Sequence, residues 1–361
     1  MNVGWKYVSF EDCLERIPKV VKIQSSEYQQ SGTYPIISQE ESFISGFWDN
    51  SDDVLQIEHP VVIFGDHTRV LKYVDFNFVI GADGVKILSP KSFLFPKFLY
   101  YYLKEVNIPS LGYSRHYKLL KEITIPVPPL AEQEQIVGEL DLLAGIIDKQ
   151  KTQLKELDTL AQSIFYSTFG DPIENEKGWE VKKLEEVGEI VSGSTPSTSD
   201  ESNWNGNINW VTPAELGLQL FYGETERKIT AQAAEKLTMM PAGTVLLSSR
   251  APIGKLAITT VPMCCNQGFK NIVCGITINN IFLYYYLMLA IDNIKALGRG
   301  ATFKEVSKQA IANYKIPVPP LELQNAFAEK IENIERQKEV IARAITETQK
   351  LFDYTMDKYF G

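Results

Sequence analysis

Forty-six residues of this chain are written twice. Residues 125–170 open on IPVPPLAEQEQ and close on YSTFG, and residues 316–361 open on IPVPPLELQNA and close on DKYFG. The offset is 191 at both ends, so the copies align without a gap. A gapless repeat of this length is one structural unit used twice. Each copy follows a longer segment of its own, and the chain therefore divides into unit, repeat, unit, repeat. The organisation predicts a pseudo-two-fold object, with segments at 1–124, 125–170, 171–315 and 316–361.

The repeats carry a helical pattern. In the first copy Ile136, Leu140, Leu143, Ile147, Leu154, Leu157, Ala161 and Ile164 step by threes and fours, with Gln150 filling one slot. In the second, Phe327, Ile331, Ile334, Ile341, Ile345 and Phe352 do the same, interrupted by Lys338 and Thr348. That is an a/d seam sustained over several heptads. Pro128–Pro129 and Pro319–Pro320 suit a helix start, and Gly170 and Gly361 suit its end. Each helix is predicted to run roughly 38 residues, about 55–60 Å at about 1.5 Å per residue. No helix of this length buries its own seam. The simplest partner is the other copy, in an antiparallel coiled coil. Packing on its own unit, or on another protein, is the alternative.

The two longer segments match loosely. Gly4-Trp5 aligns with Gly178-Trp179, and Phe98-Leu-Tyr-Tyr-Tyr-Leu103 recurs as Phe282-Leu-Tyr-Tyr-Tyr-Leu287. Between these anchors lie strand-like runs broken by Gly, Pro and Asn, such as VVIF (61–64) and TVLLSS (244–249). The fold class expected is α+β: two mixed α/β domains separated by the two long helices. The Tyr triplets, at helical spacing, are read as core rather than as base-stacking platforms. The loops differ, as in SRHYKLLKE (114–122) against RGATFKEVSKQ (299–309), or GDHTRV (65–70) against SSRAPIGK (248–255).

Net charge is −9, which by itself argues against a polyanion ligand. Its distribution argues otherwise. Residues 60–121 hold nine basic and four acidic groups, and residues 227–315 hold eleven and three. The front of each unit is acidic, at −6 over 1–59 and −9 over 171–226. Two matched basic regions can each attract a polyanion. No apolar run reaches the ~20 residues of a membrane span, and the start has no secretory pattern, so a cytoplasmic protein is expected. Cys13, Cys264, Cys265 and Cys274 are too few for a disulfide framework, and the vicinal pair lacks zinc-ligand spacing. No metal or cofactor is predicted.

The IPVPPL-x2-Q block before a long helix, present twice, resembles the specificity subunits of Type I restriction–modification systems. So do IVSGSTPS (190–197) with INWVTPAEL (208–216), and the motifs GADGVK (81–86) and NQGFK (266–270). The resemblance covers essentially the whole chain. It implies two target-recognition domains and two helical regions. It also implies a DNA-reading subunit without catalysis of its own, docked to two adenine-methylating modification subunits and through them to motor-nuclease restriction subunits. The second copy departs from the fuller helix start, with ELQNAF in place of AEQEQI. No extra terminal segment is expected to close a pseudo-circular arrangement.

On that reading the DNA-binding candidates are basic or amide side chains in Gly/Ser/Thr-containing loops, because Arg and Gln suit bidentate purine contacts. They are Arg69, Lys72, Lys86, Arg115, His116 and Lys118 in the first unit. In the second they are Arg250, Lys255, Gln267, Lys270, Arg299, Lys304 and Lys308. Enzyme readings find little support. PVPPL lacks the polar residue and the aromatic of an adenine-methylating tetrapeptide, and no phosphate-cradling Gly-x4-Gly-Lys-Ser/Thr loop occurs. Acidic groups such as Glu332 and Glu335 with Lys338 fit a solvated helix face. The competing readings are an interaction protein whose coiled coil is its active surface, without specific DNA readout, and a specificity subunit of a related restriction system.

Overall fold

A computed structural model of the chain describes all residues except 1–3, 19, 83, 218, 251 and 300–303. The chain divides into two units: Met1–Lys151 with Arg343–Gly361, and Thr152–Ala342. The long helices run Leu130–Phe169 and Leu321–Phe360, 40 residues each, so each unit contains the start of one and the end of the other.

In the first unit, strand Lys6–Ser9 pairs antiparallel with Thr124–Val127. The strand-rich middle forms two sheets. One contains Lys22–Ile23, Phe78–Gly81, Tyr34–Ile37 and Gly46–Trp48 in that order, with Val54–Leu55 also on Phe78–Gly81. The other is antiparallel, with Val61–Gly65 between Leu71–Val74 and Val85–Leu88. Helix Pro96–Glu105 buries Phe98, Leu99, Tyr101 and Leu103. These join Ile136, Val137 and Leu140 of the first long helix and Met356 of the second in one core, with Phe352 and Phe360 packed against it. The Phe98 and Phe360 rings meet edge to face at 5.2 Å.

The second unit repeats the plan. Strand Glu180–Lys183 pairs with Lys315–Val318 in the same relative register as its counterpart. A five-stranded sheet orders Gly188–Ser192, Lys270–Cys274, Val245–Ser249, Ile253–Thr259 and Phe221–Tyr222. A smaller sheet places Trp204–Val211 between Lys228–Ile229 and Cys264–Cys265. Helix Asn280–Leu289 buries its whole Tyr triplet. Phe165, Phe169, Phe282, Phe327, Ile331 and Ile334 share its core, with Phe165 stacked on Phe282 at 5.8 Å.

Within each unit an early residue of one long helix meets a late residue of the other. Glu139 accepts a 2.8 Å hydrogen bond from the Tyr359 hydroxyl in the first. Lys338 lies 2.8 Å from Asp158 in the second. The helices are therefore antiparallel, and both packing expectations apply together: each helix end pairs with the other helix and also enters a globular core. Of the seam positions, Ile136, Leu140, Ile147, Phe327, Ile331 and Ile334 are buried; Leu143, Leu154, Leu157, Ile164, Ile341, Ile345 and Phe352 are half-buried. The cysteines are packed in apolar surroundings, with Cys13, Cys264 and Cys265 buried; burial pushes the Cys264 thiol up to about 11 and Cys265 to about 12.

The Gln of IPVPPL-x2-Q has a physical reason. Gln133 is fully buried; its amide donates to Phe93 O (3.0 Å) and Pro128 O (2.8 Å), and its Oε1 accepts from Phe95 N (2.7 Å). Gln324 makes the same set, to Thr277 O (3.3 Å) and Pro319 O (2.7 Å), with Asn279 N donating at 2.8 Å. Each Gln thus ties the first turn of a long helix to the loop that starts the Tyr-rich helix.

Gln133→Glu is expected to replace two donated bonds by carboxylate–carbonyl repulsion, at about 1–3 kcal/mol per buried group left unpaired. Hydrogen exchange should then accelerate in the first unit and stay unchanged in the second; an unchanged exchange pattern would refute the role. A second expectation concerns pH. The hydrogen bond from Tyr359, helped by Gln135, holds the Glu139 carboxyl below the ordinary glutamate range. Its stabilisation is present above that range and lost as pH falls through the depressed value. Tyr359→Phe should flatten this acid limb in urea titrations at a series of pH values.

Candidate nucleic-acid interface

In the first unit three loops meet around a buried carboxylate. Asp66, only 1% exposed, follows strand Val61–Gly65. Its backbone N–H donates to Gly84 O (2.7 Å), joining the turn before Lys86. Its carbonyl accepts from His116 N (2.8 Å), and its Oδ1 accepts from Tyr117 N (2.7 Å), at the start of the short helix Tyr117–Leu120. His116 is fully buried, with Nδ1 2.9 Å from Asp66 O and Nε2 accepting from Leu111 N at 2.9 Å. That pattern assigns the proton to Nδ1. Lys86 Nζ stands 3.6 Å from Asp66 Oδ2 and lies over the Tyr117 ring. Gly84, at φ +92°, makes the turn that an L side chain would strain.

The loop so fixed ends in Tyr113, which is fully exposed, with exposed Arg115 and Lys118 after it. His67 Nδ1 contacts Tyr113 O at 3.3 Å, and Gly112 turns at φ +64°.

The second unit solves the same problem with other residues. Lys270 follows Gly268-Phe269 as Lys86 follows Gly84-Val85. Its ammonium, almost wholly buried, reaches Glu305 Oε1 (3.3 Å), Ser249 Oγ (3.4 Å) and Gln267 O (3.4 Å). Arg250 lies 3.9 Å from the other Glu305 oxygen, and Glu305 exchanges backbone hydrogen bonds with Arg299 at 3.0 and 3.1 Å. Glu305 therefore ties the Gly-x-Lys turn to the loop before helix Lys308–Ala312. Gln267 is exposed and accepts a hydrogen bond from Thr195 Oγ.

These placements re-sort the sequence candidates. Three of them, Lys72, His116 and Lys270, face inward, a correction to their expected place on a reading surface. Lys72 is 4% exposed, and its three donors are occupied by Ser38 O (2.9 Å), Ser42 O (2.6 Å) and Phe43 O (3.4 Å). Burial pulls its pKa down while Glu40 pulls it up. His116 is a strut, as described. Lys86, Lys270 and Arg250 are held by carboxylates. Lys255 is half-buried and donates to Ala214 O at 3.2 Å. Arg69 adopts φ +64° and donates to Ile108 O at 2.9 Å. Arg115, Lys118, Gln267, Arg299, Lys304 and Lys308 are exposed. Parts of three motifs, at 83, 251 and 300–303, lie outside the described residues. Sequence reasoning missed Asp66, Glu305 and Tyr113. An acid amid basic loop residues was a usable signal for the first two; nothing in the pattern marked Tyr113.

Comparison with known proteins decides the family. The signature described as "Type I restriction modification DNA specificity domain" matches residues 2–159 and again 176–349. The chain belongs to that family. A specificity subunit of the MjaIX type I restriction enzyme of Methanocaldococcus jannaschii is 36% identical over 187 residues, 48% of this chain and 43% of that subunit. The EcoR124I/EcoR124II specificity subunit of Escherichia coli is 26% identical over an alignment covering 95% of this chain and 91% of that one. Among solved structures, the type I S subunit from M. genitalium superposes with a TM-score of 0.66 at 16% identity, covering 100% of this chain and 97% of that one. A chain from work on complex assembly and conformational transition of the type I R-M system gives 0.57 at 19%, covering 99% and 98%. These two share the fold. The family's members are recognition components, and the chain is not a catalytic subunit.

In such a specificity chain, exposed cations and buried ones should behave differently towards duplex DNA. Arg115→Ala and Lys118→Ala are each expected to weaken binding and, for a phosphate contact, to lower the salt slope by about one. Lys72→Met should leave that slope alone and loosen the 38–43 loop instead. Filter binding over a salt series, with hydrogen exchange, separates the two; a slope lowered by Lys72→Met would return it to the surface set.

Proposed function

We propose that this chain reads an asymmetric bipartite site in duplex DNA, one half-site per recognition unit, and docks modification subunits and, through them, restriction subunits. The observation that carries the reading is what was duplicated. Strand pair, glutamine tie, Tyr-rich helix and long helix occur in both units with matching geometry. The loops around Asp66 and Glu305 do not match. A repeated frame bearing two different loop sets suits one ligand with two unlike halves. The reading also agrees with the basic middle of each unit. Phosphate contacts would position the loops and base-edge contacts would specify sequence.

The long helices then act as a ruler. Half-sites about ten or more base pairs apart, at about 3.4 Å per pair, need a stiff spacer, and two 40-residue helices supply one. The frame, being the same at both units, is the natural place for two copies of one modification subunit. No helix among the described residues is long and apolar enough to cross a membrane.

Methylome sequencing of the host with and without this gene should reveal a split motif that disappears with it. If no motif disappears, the DNA reading fails in favour of an interaction protein. Inserting four residues in both long helices, about one turn, should change the tolerated spacer and keep both half-sites. Altered half-sites with an unchanged spacer would sink the ruler.

A further inference from the structure

The second unit holds an arginine that the sequence reading passed over. Arg227 precedes strand Lys228–Ile229 and is exposed. Its guanidinium carbon sits 3.8 Å from the centre of the Trp204 ring and 5.1 Å from that of Trp210. The two indoles cross at 84°, with centroids 5.1 Å apart. Both are pinned through their N–H groups, Trp204 to Ser197 O and Trp210 to Ser194 O, each at 3.1 Å. The backbone is fixed as well, because Arg227 O accepts from Trp210 N (3.2 Å) and from Thr225 Oγ (2.6 Å).

Stacking satisfies the face of a guanidinium and leaves its edge. Among the described residues no carboxylate pairs with Arg227, and no acceptor takes any of its five N–H donors. The nearby acid Glu224 pairs with Lys228 instead, at 3.6 Å. This contrasts with Lys270 and Arg250, which Glu305 holds. The site is also continuous with the reading loops. Ser194, which holds Trp210, donates its N–H to Cys265 O at 2.9 Å, and its neighbour Thr195 bonds Gln267. Gly193 lies so close to Cys265 and Asn266 that an added Cβ would fall 2.2 Å from the Asn266 carbonyl oxygen, so this segment is tightly seated.

We infer that Arg227 is a specificity-determining residue of the second unit, offering its fork to the O6 and N7 of a guanine in the second half-site. A phosphate contact asks for charge and reach, which a flexible lysine supplies. A guanidinium held over the Trp204 ring with Trp210 beside it offers direction, which bidentate base recognition requires. The inference rests on the DNA-reading function proposed above.

The test uses the chain assembled with its modification subunits. Binding is measured on the cognate duplex and on duplexes with each second-half-site guanine replaced. Arg227→Ala should weaken cognate binding by about 10–100-fold and abolish discrimination at one guanine only. Arg227→Lys should not restore either, since it keeps the charge and loses the fork. The first half-site should remain fully discriminated, which also reports that the complex is folded. Restoration by lysine would mean a phosphate contact and would overturn the inference, as would unchanged binding by Arg227→Ala. A wild-type complex that binds no bipartite duplex would sink the proposed function itself, before this residue is in question.

Discussion

The whole architecture depends on a seam that neither long helix can bury alone. A 40-residue helix with an a/d stripe needs a partner along its length, and burial of that stripe is worth about 25 cal/mol per Å². The chain meets this need differently along each helix. At the ends a third layer is present: Ile136 and Leu140 share a core with Phe98, and Phe327 and Ile331 share one with Phe282. Further along, Leu143, Leu154 and Ile345 stay half-buried. Every other feature hangs from those ends. The strand pairs, the glutamine ties and the Tyr-rich helices all converge where a long helix enters a core.

The loops show the opposite economy. Burying a lysine is costly unless its donors are met, yet Lys72 and Lys270 are almost fully buried. Each spends its charge on holding loops together, Lys72 through three carbonyls and Lys270 through Glu305. Positive charge in these loops thus has two roles: struts inside and a separate set of cations at the surface. Counting basic residues along the chain merges the two.

Much of this was legible in the sequence because it is periodic or duplicated. The helices follow from apolar spacing between a Pro pair and a terminal Gly. The doubled frame follows from an offset of 191 that never slips. The Tyr triplets read as core from their helical spacing; the second is buried throughout, while in the first Tyr101 is buried and Tyr100 and Tyr102 are half-buried. The loops were legible only as regions. Whether Lys72 points in or out depends on the carbonyls of Ser38, Ser42 and Phe43, some thirty residues away, and no local pattern encodes them. The same holds for His116, whose partners Asp66 and Leu111 lie on different loops. Arg227 was invisible because its value comes from strand pairing that lays it against two tryptophans of one strand, Trp204–Val211.

The glutamine tie has one more consequence. Because Gln133 and Gln324 bond only to backbone atoms of the chain around them, the joint they make is indifferent to side-chain identity on the globular side. Phe93 and Phe95 stand at one joint where Thr277 and Asn279 stand at the other, with the same bonds formed. A joint written in main-chain atoms is a standard fitting. It lets reading heads of unrelated surface diverge freely, or be exchanged, while the shaft that carries them keeps a single design.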